Sequence, residues 1–515
     1  MNIFLRRWND RSHDRSRPRI IAEIPMMPLT RTSAPNSNLV DYWNEARLRV
    51  ASAKSSSVRP APGIVPWRTA LEDVLKVGYG VQTQPRFVAG AWQEVRWRTT
   101  PSAGAIYPFE VIASIVGEGS YLWDIEKGRF VPCDAPAPSR EGLAAAGLVT
   151  RPGHSIEALL TFVARPWLSM KKYRLRGYGY CHLDVGHTAT NLALYTAALG
   201  HDPVVHLRFS RTFMAEHLKL DGLCREPLAV LSFSAAGPGA EAQLPPAGPP
   251  VGLELPGERE IENWESLQDY LSFGFALEPS GAPAGTDLLA HDDTGPSDAI
   301  LPLPESRPPL GSAAEWRAAI LGRRSAKGFR TQAVSVEQIG ELLSALRAEG
   351  LPADCCGEGP MRLGVRLVAR NVDDLAGVFA YAPQEHALAR IDAEAGDPRP
   401  ACMQQGLAGD AAALLIFHAP VGRLLDRYGY SAFAELLFRA AELGQRLHLA
   451  ATRLGPLGIT CIGGFDGEEC ATLARLDAGE EAVYVILIGV GDESVFKQDR
   501  LNVAFSHGHT STLED

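Results

Sequence analysis

Three places in the sequence carry residues whose types and spacing could do chemistry. Arg323-Arg324-Ser325-Ala326-Lys327 sets cationic and hydroxyl donors at alternate positions. On an extended segment such donors point to one side, an arrangement suited to a phosphate. Lys171-Lys172-Tyr173 offers an amine beside a phenol, and a lysine works as a base near neutral pH when desolvation or nearby positive charge lowers its pKa. Cys461-Ile462-Gly463-Gly464-Phe465 carries two glycines, which let backbone approach a bound group with no side chain between. Taken singly, each also reads as ordinary surface: a solvated basic turn, a basic patch with a packing tyrosine, a tight turn. Metal chemistry has weaker support. His187 and Asn191 lie one helical turn apart but suit core hydrogen bonds at least as well. Cys355 and Cys356 are adjacent, no C-x-x-C pair occurs, and His507-Gly508-His509 reads as a tail, so no metal site is expected.

Two long helices and the strands around them must position these residues. His182 to Leu194 has small and apolar residues at helical spacing, closed by Leu199-Gly200, and Phe433 to Leu454 repeats the layout before Gly455. Apolar runs follow each helix, Leu228 to Phe233 and Ala482 to Ile488, and read as buried strands. Earlier strand candidates are Phe109 to Val116 and Leu363 to Arg370. Ser312-Ala313-Ala314-Glu315 is a capping-box pattern opening a helix that ends at Gly322. The expectation is an α+β unit occurring twice. Pro/Gly-rich stretches read as linkers that flank one bridging helix over 258–277. The expected division is a basic, flexible leader (1–61), a first domain (62–234), linkers with the bridging helix (235–311), a second domain (312–503) and a tail (504–515).

Arg98-Thr99-Thr100-Pro101-Ser102-Ala103-Gly104-Ala105-Ile106-Tyr107-Pro108, with Lys172-Tyr173-Arg174-Leu175-Arg176-Gly177-Tyr178 further on, resembles the SagB/ThcOx-type dehydrogenases. These are the flavin-dependent branch of the nitroreductase family that oxidises thiazolines and oxazolines. Arg323 to Phe329 is similar to that family's Arg-Arg-Ser-x-Arg-x-Phe string, with Lys327 in place of the second arginine. Cys461 to Phe465 resembles its loop beside the flavin ring, and Lys497 and Arg500 are placed like its C-terminal phosphate-binding pair. Family members are two-fold dimers with FMN at the interface, so the resemblance implies two nitroreductase-like domains forming an intramolecular pseudo-dimer. It implies that Arg323, Arg324, Ser325, Lys327, Ile462, Gly463, Gly464, Lys497 and Arg500 of domain two hold FMN. Pro101, Ser102, Ala103 and Gly104 of domain one would complete the site, and Lys172 and Tyr173 would be catalytic. Tyr107 is expected to pack against domain two, and Arg176 to contact the substrate's carboxylate or backbone.

Each copy lacks what the other keeps. The second reads Cys355 to Arg362 where a Pro-Ser loop should stand, and Leu425-Asp426-Arg427-Tyr428 in place of the Lys-Tyr string. The first has no Arg-Arg-Ser string around Trp67 to Tyr79, and its counterpart of the Gly-Gly loop is His206-Leu207-Arg208-Phe209, whose bulk would obstruct a flavin. One intact flavin site per chain is expected, since fusion releases one of two equivalent sites from being kept.

The implied function is an FMN-dependent dehydrogenase that aromatises thiazoline or oxazoline rings in a peptide or carrier-protein-bound intermediate of natural-product biosynthesis, with oxygen as electron acceptor. The alternatives are an NAD(P)H-dependent nitro, quinone or ene reductase, and an inactive pseudo-dimeric scaffold for a biosynthetic partner. Composition frames all three. The 515 residues are 46% hydrophobic and 21% charged with a net charge of -10, a globular composition that argues against a general nucleic-acid surface. No stretch approaches a membrane span, no apolar segment follows the arginines of the leader, and the eight cysteines form no disulfide framework. A cytoplasmic protein is expected, and it could be monomeric because the dimer is built in.

Overall fold

The computed structural model describes residues 67–88, 91–133, 135–148, 150, 154–173, 175–220, 225–236, 300–304, 312–347, 363–428 and 431–495. The leader, the bridging helix expected over 258–277, the stretch 355–362, Lys497, Arg500 and the tail lie outside the described residues.

The duplication is written in the strand order. One antiparallel sheet runs Arg129–Pro132, Gly119–Asp124, Phe109–Ile115, His154–Ala164, Glu226–Ala236, Asp202–His206. A second repeats it with Ala387–Asp392, Leu375–Ala382, Gly364–Val372, Ala413–Ala419, Glu481–Gly491 and Leu457–Ile462. The inner strands are apolar runs buried along nearly their whole length, as strands covered on both faces must be. Two short strands extend the second sheet, Phe329–Arg330 on Glu481–Gly491 and Ile300–Pro302 on Ala387–Ala389. The latter falls inside the expected linker. Its backbone finds partners on an open sheet edge, which orders residues whose composition alone would not. A two-stranded ribbon, Val81–Val88 against Ala91–Arg98, also goes beyond the sequence reading.

The two long helices, Leu175–Ala198 and Ser431–Arg453, each stop at a left-handed glycine, Gly200 (φ 87°) and Gly455 (φ 75°). They pack against each other so closely that a Cβ on Gly186 would lie 2.8 Å from the Phe438 carbonyl oxygen. Helix Ala313–Gly322 opens with the expected capping box between Ser312 and Glu315. Its Ala319 and Ile320 are buried in the first half's core, while Leu175, Tyr180 and Leu183 are buried in the second's. Neither core closes without the other half, so the molecule is an α+β pseudo-dimer within one chain.

Between the helices runs a buried polar chain. Asn191 donates to the carbonyls of Gly78 (3.1 Å) and Thr99 (3.3 Å) and accepts from Gln445 Nε2 (2.6 Å). That orientation leaves Gln445 Oε1 to accept from His187 Nδ1 (3.0 Å), so His187 Nε2 accepts from the Tyr484 hydroxyl (3.0 Å). His187 and Asn191 are therefore satisfied core groups. Burial pulls His187 down to about 3, so it stays neutral. No helix among the described residues is long and apolar enough to cross a membrane.

Candidate active site

The Pro101 to Pro108 turn is strained in a specific way. Gly104 (φ 64°), Ala105 (φ 59°) and Tyr107 (φ 51°) are all left-handed, and such a conformation costs a non-glycine residue about 1–3 kcal/mol. It persists because side chains hold it from several directions. Ser102 Oγ accepts from the Tyr107 amide (2.9 Å), and the Tyr107 hydroxyl donates to the Thr100 carbonyl (3.1 Å). The Arg98 guanidinium sits 4.1 Å from the centre of the Tyr107 ring. Tyr107, expected to face domain two, thus lies against Arg98 and Thr100 of its own domain; the left-handed backbone turns its ring inward, and it is 1% exposed.

A buried carboxylate absent from the sequence expectations lies near this turn. Asp184, on the first long helix, is 3% exposed, and its Oδ2 has no hydrogen-bond partner among the described residues. Burial raises its carboxyl to about 8 against the lowering pull of Ser102, the Ala103 amide and Arg98. The available signal was a lone carboxylate among apolar neighbours, Leu183-Asp184-Val185, one turn beyond Tyr180.

Helix Pro166–Tyr173 brings Lys172 and Tyr173 over this turn. A Cβ on Gly104 would stand 2.6 Å from the Tyr173 hydroxyl and 3.2 Å from Lys172 Nζ, so only glycine leaves them room. Lys172 is exposed and Tyr173 half-buried. The Tyr173 ring meets Tyr180 edge-on at 4.9 Å, and Tyr180 reaches domain two, where a Cβ on Gly463 would lie 2.7 Å from its ring. Gly104, Lys172, Tyr173, Tyr180 and Gly463 form one continuous seam across the two halves.

On the domain-two side, strand Leu457–Ile462 delivers the glycine loop. Ile462 turns into the core, and the Gly464 carbonyl accepts from Gln405 Nε2 (3.1 Å). Arg323 to Lys327 runs beside the same strand, tied by the Ala326 amide to the Ile459 carbonyl (2.9 Å). Ser325 and Lys327 are half-buried there. The two arginines have further structural partners. Arg323, 2% exposed, donates to the carbonyls of Thr99 (2.6 Å) and Arg98 (2.9 Å) and to Ser325 Oγ (3.1 Å). Arg324 lies 3.7 Å above the Trp97 ring. Both clasp the root of the Pro-Ser turn, which the ribbon absent from the sequence reading carries to them.

Arg176 also departs from expectation. It is buried, donating to the Phe465 carbonyl (2.6 Å) with its guanidinium 5.4 Å from the Phe465 ring centre, so it braces the two halves where a substrate contact was anticipated. Cys461, next to the glycine loop, has its thiol pushed up to about 12 by burial and lies 3.5 Å from His448 Nε2. Burial and Arg323 hold His448 well below the usual histidine range. Both groups are neutral near pH 7, and neither is poised as a nucleophile or acid.

The pseudo-equivalent seam is closed. Relative to the glycines that end the long helices, Glu435 occupies the place of Tyr180 and Arg208 that of Gly463. They form an ion pair of 2.9 Å, and Phe209 beside Arg208 is 1% exposed. The bulk expected to obstruct this loop is present and locked by a partner from the other half.

Known proteins resemble the chain on two scales. Residues 320–491 match the nitroreductase family. A nitroreductase relative from Methanocaldococcus jannaschii is 30% identical over 155 residues, which are 29% of this chain and 73% of the relative. Among solved structures, the crystal structure of a nitroreductase from Anabaena variabilis superposes with a TM-score of 0.66 at 21% identity, covering 88% of this chain and 99% of its own. That superposition extends the likeness in fold over both halves. The chain belongs to the nitroreductase family, an oxidoreductase family.

Proposed function

We propose that the chain is an FMN-dependent dehydrogenase of the SagB/ThcOx type, converting thiazoline or oxazoline rings to thiazoles or oxazoles in a peptide or carrier-protein-bound intermediate. The observation that carries the reading is the stacking of the Lys172 amine and the Tyr173 hydroxyl over left-handed Gly104. The residues present fit a flavin mononucleotide. Gly104 and Gly463 offer backbone where a Cβ would collide with tyrosine, and Ser325 and Lys327 stand on the segment beside the glycine loop. Ile462, Gly464, Pro101, Ser102 and Ala103 would complete the enclosure, with Arg323 and Arg324 holding it in shape. Lys497 and Arg500 are proposed for the phosphate.

Aromatising an azoline removes one carbon-bound proton and one hydride. The Lys172 amine takes the proton, and the Tyr173 hydroxyl orients the ring or relays that proton. Lys172 is exposed in the protein alone, so the desolvation that makes it a base near neutral pH must come from a substrate covering it. When bound, FMN supplies the hydride acceptor, with oxygen as the final oxidant. The five cysteines among the described residues are free and four are buried, which accords with a cytoplasmic setting.

The test is anaerobic reduction of the yellow protein by 2-phenylthiazoline-4-carboxamide, followed by oxygen uptake and detection of the thiazole. Lys172→Ala should stay yellow and lose this reaction. Rapid NADPH-driven reduction of a nitroarene that ignores Lys172→Ala would favour the reductase reading. A protein that binds no added FMN would support the scaffold and sink both.

A further inference from the structure

We propose that Gln405 is a positioning residue of the flavin-side loop: its amide, brought round by a left-handed turn at Met403 and Gln404, holds the Gly464 carbonyl and so sets how that loop meets the cofactor. The inference rests on the reading of Gly463 and Gly464 as the loop beside FMN.

The turn is strained. Met403 (φ 54°) and Gln404 (φ 60°) are consecutive and both left-handed, a conformation that residues other than glycine adopt reluctantly. Its surroundings hold it there. At its root, Ala401 and Cys402 are buried in the same core as Ile462 and Phe465. Within it, the Gln404 amide donates to the Arg399 carbonyl (2.7 Å) and the Gln405 amide to that of Cys402 (3.2 Å). Beyond it, Gln405 is the first flanking residue of helix Gly406–Asp410, and the Ala408 amide donates to its carbonyl (3.0 Å). Backbone strain that is over-determined in this way gathers at functional sites, and this turn lies against the glycine loop.

Three contacts join turn and loop. The Gln405 side chain donates to the Gly464 carbonyl (3.1 Å), the Asp466 amide donates to the Ala401 carbonyl (2.8 Å), and Met403 Sδ lies 3.4 Å from where a Cβ on Gly464 would stand. From the other half, Arg176 donates to the Phe465 carbonyl (2.6 Å). The planar unit formed by the Phe465 carbonyl and the Asp466 amide is therefore pinned at both ends. The preceding unit, the Gly464 carbonyl with the Phe465 amide, is held by Gln405 at its carbonyl end. Because the two groups of a trans peptide point in opposite directions, that bond aims the Phe465 amide away from Gln405. Among the described residues no hydrogen bond to the protein occupies this amide, so it is left to an acceptor on a bound group. Gln405 thus acts on the cofactor through the loop and touches no reacting atom.

The experiment prepares the full-length protein free of flavin, titrates it with FMN by fluorescence, and reads the midpoint potential of the loaded protein by dye equilibration. Gln405→Met keeps the shape of the side chain without a donor. It should bind FMN about 5-fold more weakly or worse. The ratio of affinities for oxidised and reduced flavin should change on the order of threefold, which displaces the potential. A glutamine that merely packs would leave the potential in place. Wild-type affinity in Gln405→Met overturns the proposal, and so does weaker binding with an unmoved potential. Should Gln405→Met fail to fold, Gln405→Asn, whose amide stops one carbon short of the carbonyl, decides on the same two readings. Wild-type protein that takes up no FMN overturns the flavin reading and this inference with it. Normal uptake by wild type and variant alike overturns the role of Gln405 alone.

Discussion

The two seams of this pseudo-dimer occupy equivalent positions, yet one is built of glycines and tyrosines and the other of an ion pair. At the first, Gly463 and Gly104 leave their Cβ positions vacant beneath Tyr180, Tyr173 and Lys172. At the second, Arg208 fills the glycine's place and Glu435 the tyrosine's, joined at 2.9 Å. In a homodimer any side chain that closes one site closes both, so such an exchange would abolish function. Within one chain the second seam is free to hold the halves together by an ion pair while the first packs tyrosines against glycines. The difference teaches that equivalent positions of a pseudo-dimer within one chain can be filled by unlike side chains, here glycines with tyrosines at one seam and an ion pair at the other.

The sharpest way to break that contrast is Lys172→Ala. Loss of a positioned base costs about 10² to 10⁴ in rate, and stopped-flow measurement should find this loss with one flavin still bound per chain, whereas Glu435→Gln at the other seam should leave the rate unchanged. Two flavins per chain would show that the second seam is open after all.

Acid should act on the polar chain between the seams. His187 is held at about 3, below the 6.5 of an unfolded histidine. The unfolded chain therefore takes up a proton first, and stability is full above about 6.5 and falls as pH drops toward 3, by at most about 5 kcal/mol. Asp184 works in the opposite sense: raised to about 8, it favours folding below the ordinary carboxylate range and loses that contribution as pH rises toward 8. Melting curves across pH for wild type and His187→Gln should differ mainly below pH 6.5.

Gly463→Val would put methyl groups into the Tyr180 ring. Overpacking of this kind costs about 1–3 kcal/mol, and equilibrium dialysis should show FMN bound at least about 10-fold more weakly. Arg208→Gly, the reverse change at the other seam, should not add a second flavin, because the first half has no Arg-Arg-Ser string around Trp67 to Tyr79.

The smallest effect belongs to the ion pair. Arg208 and Glu435 are 17% and 8% exposed, so Arg208→Ala should destabilise by about 1–3 kcal/mol in urea denaturation.

Several of these features were legible without coordinates and others were not, for a consistent reason. Periodicity and punctuation revealed both long helices, their closing glycines, the Ser312 capping box and the apolar strands, because each depends on neighbours within a few residues. The ribbon ending in Arg98 and the strand at Ile300 were missed, since short polar or Pro-containing strands owe their order to the partner that pairs with them. Arg323 stood out in the sequence as a candidate residue, but its clasp on Arg98 and Thr99 is nowhere foreshadowed by its sequence neighbourhood.

By itself the sequence determined that one unit occurs twice, and its family resemblance led to the expectation that each copy keeps a different part of a flavin-site pattern. Only the tertiary structure decided which groups face one another: Asp184 beneath the Ser102 turn, Tyr180 against Gly463, Arg208 with Glu435, and His187 with Tyr484 across 297 positions of sequence. The physical reason is that glycine and helix signals are properties of local backbone, whereas the state of a buried polar group is set by its desolvation and by the partner opposite, and both exist only once the halves have packed.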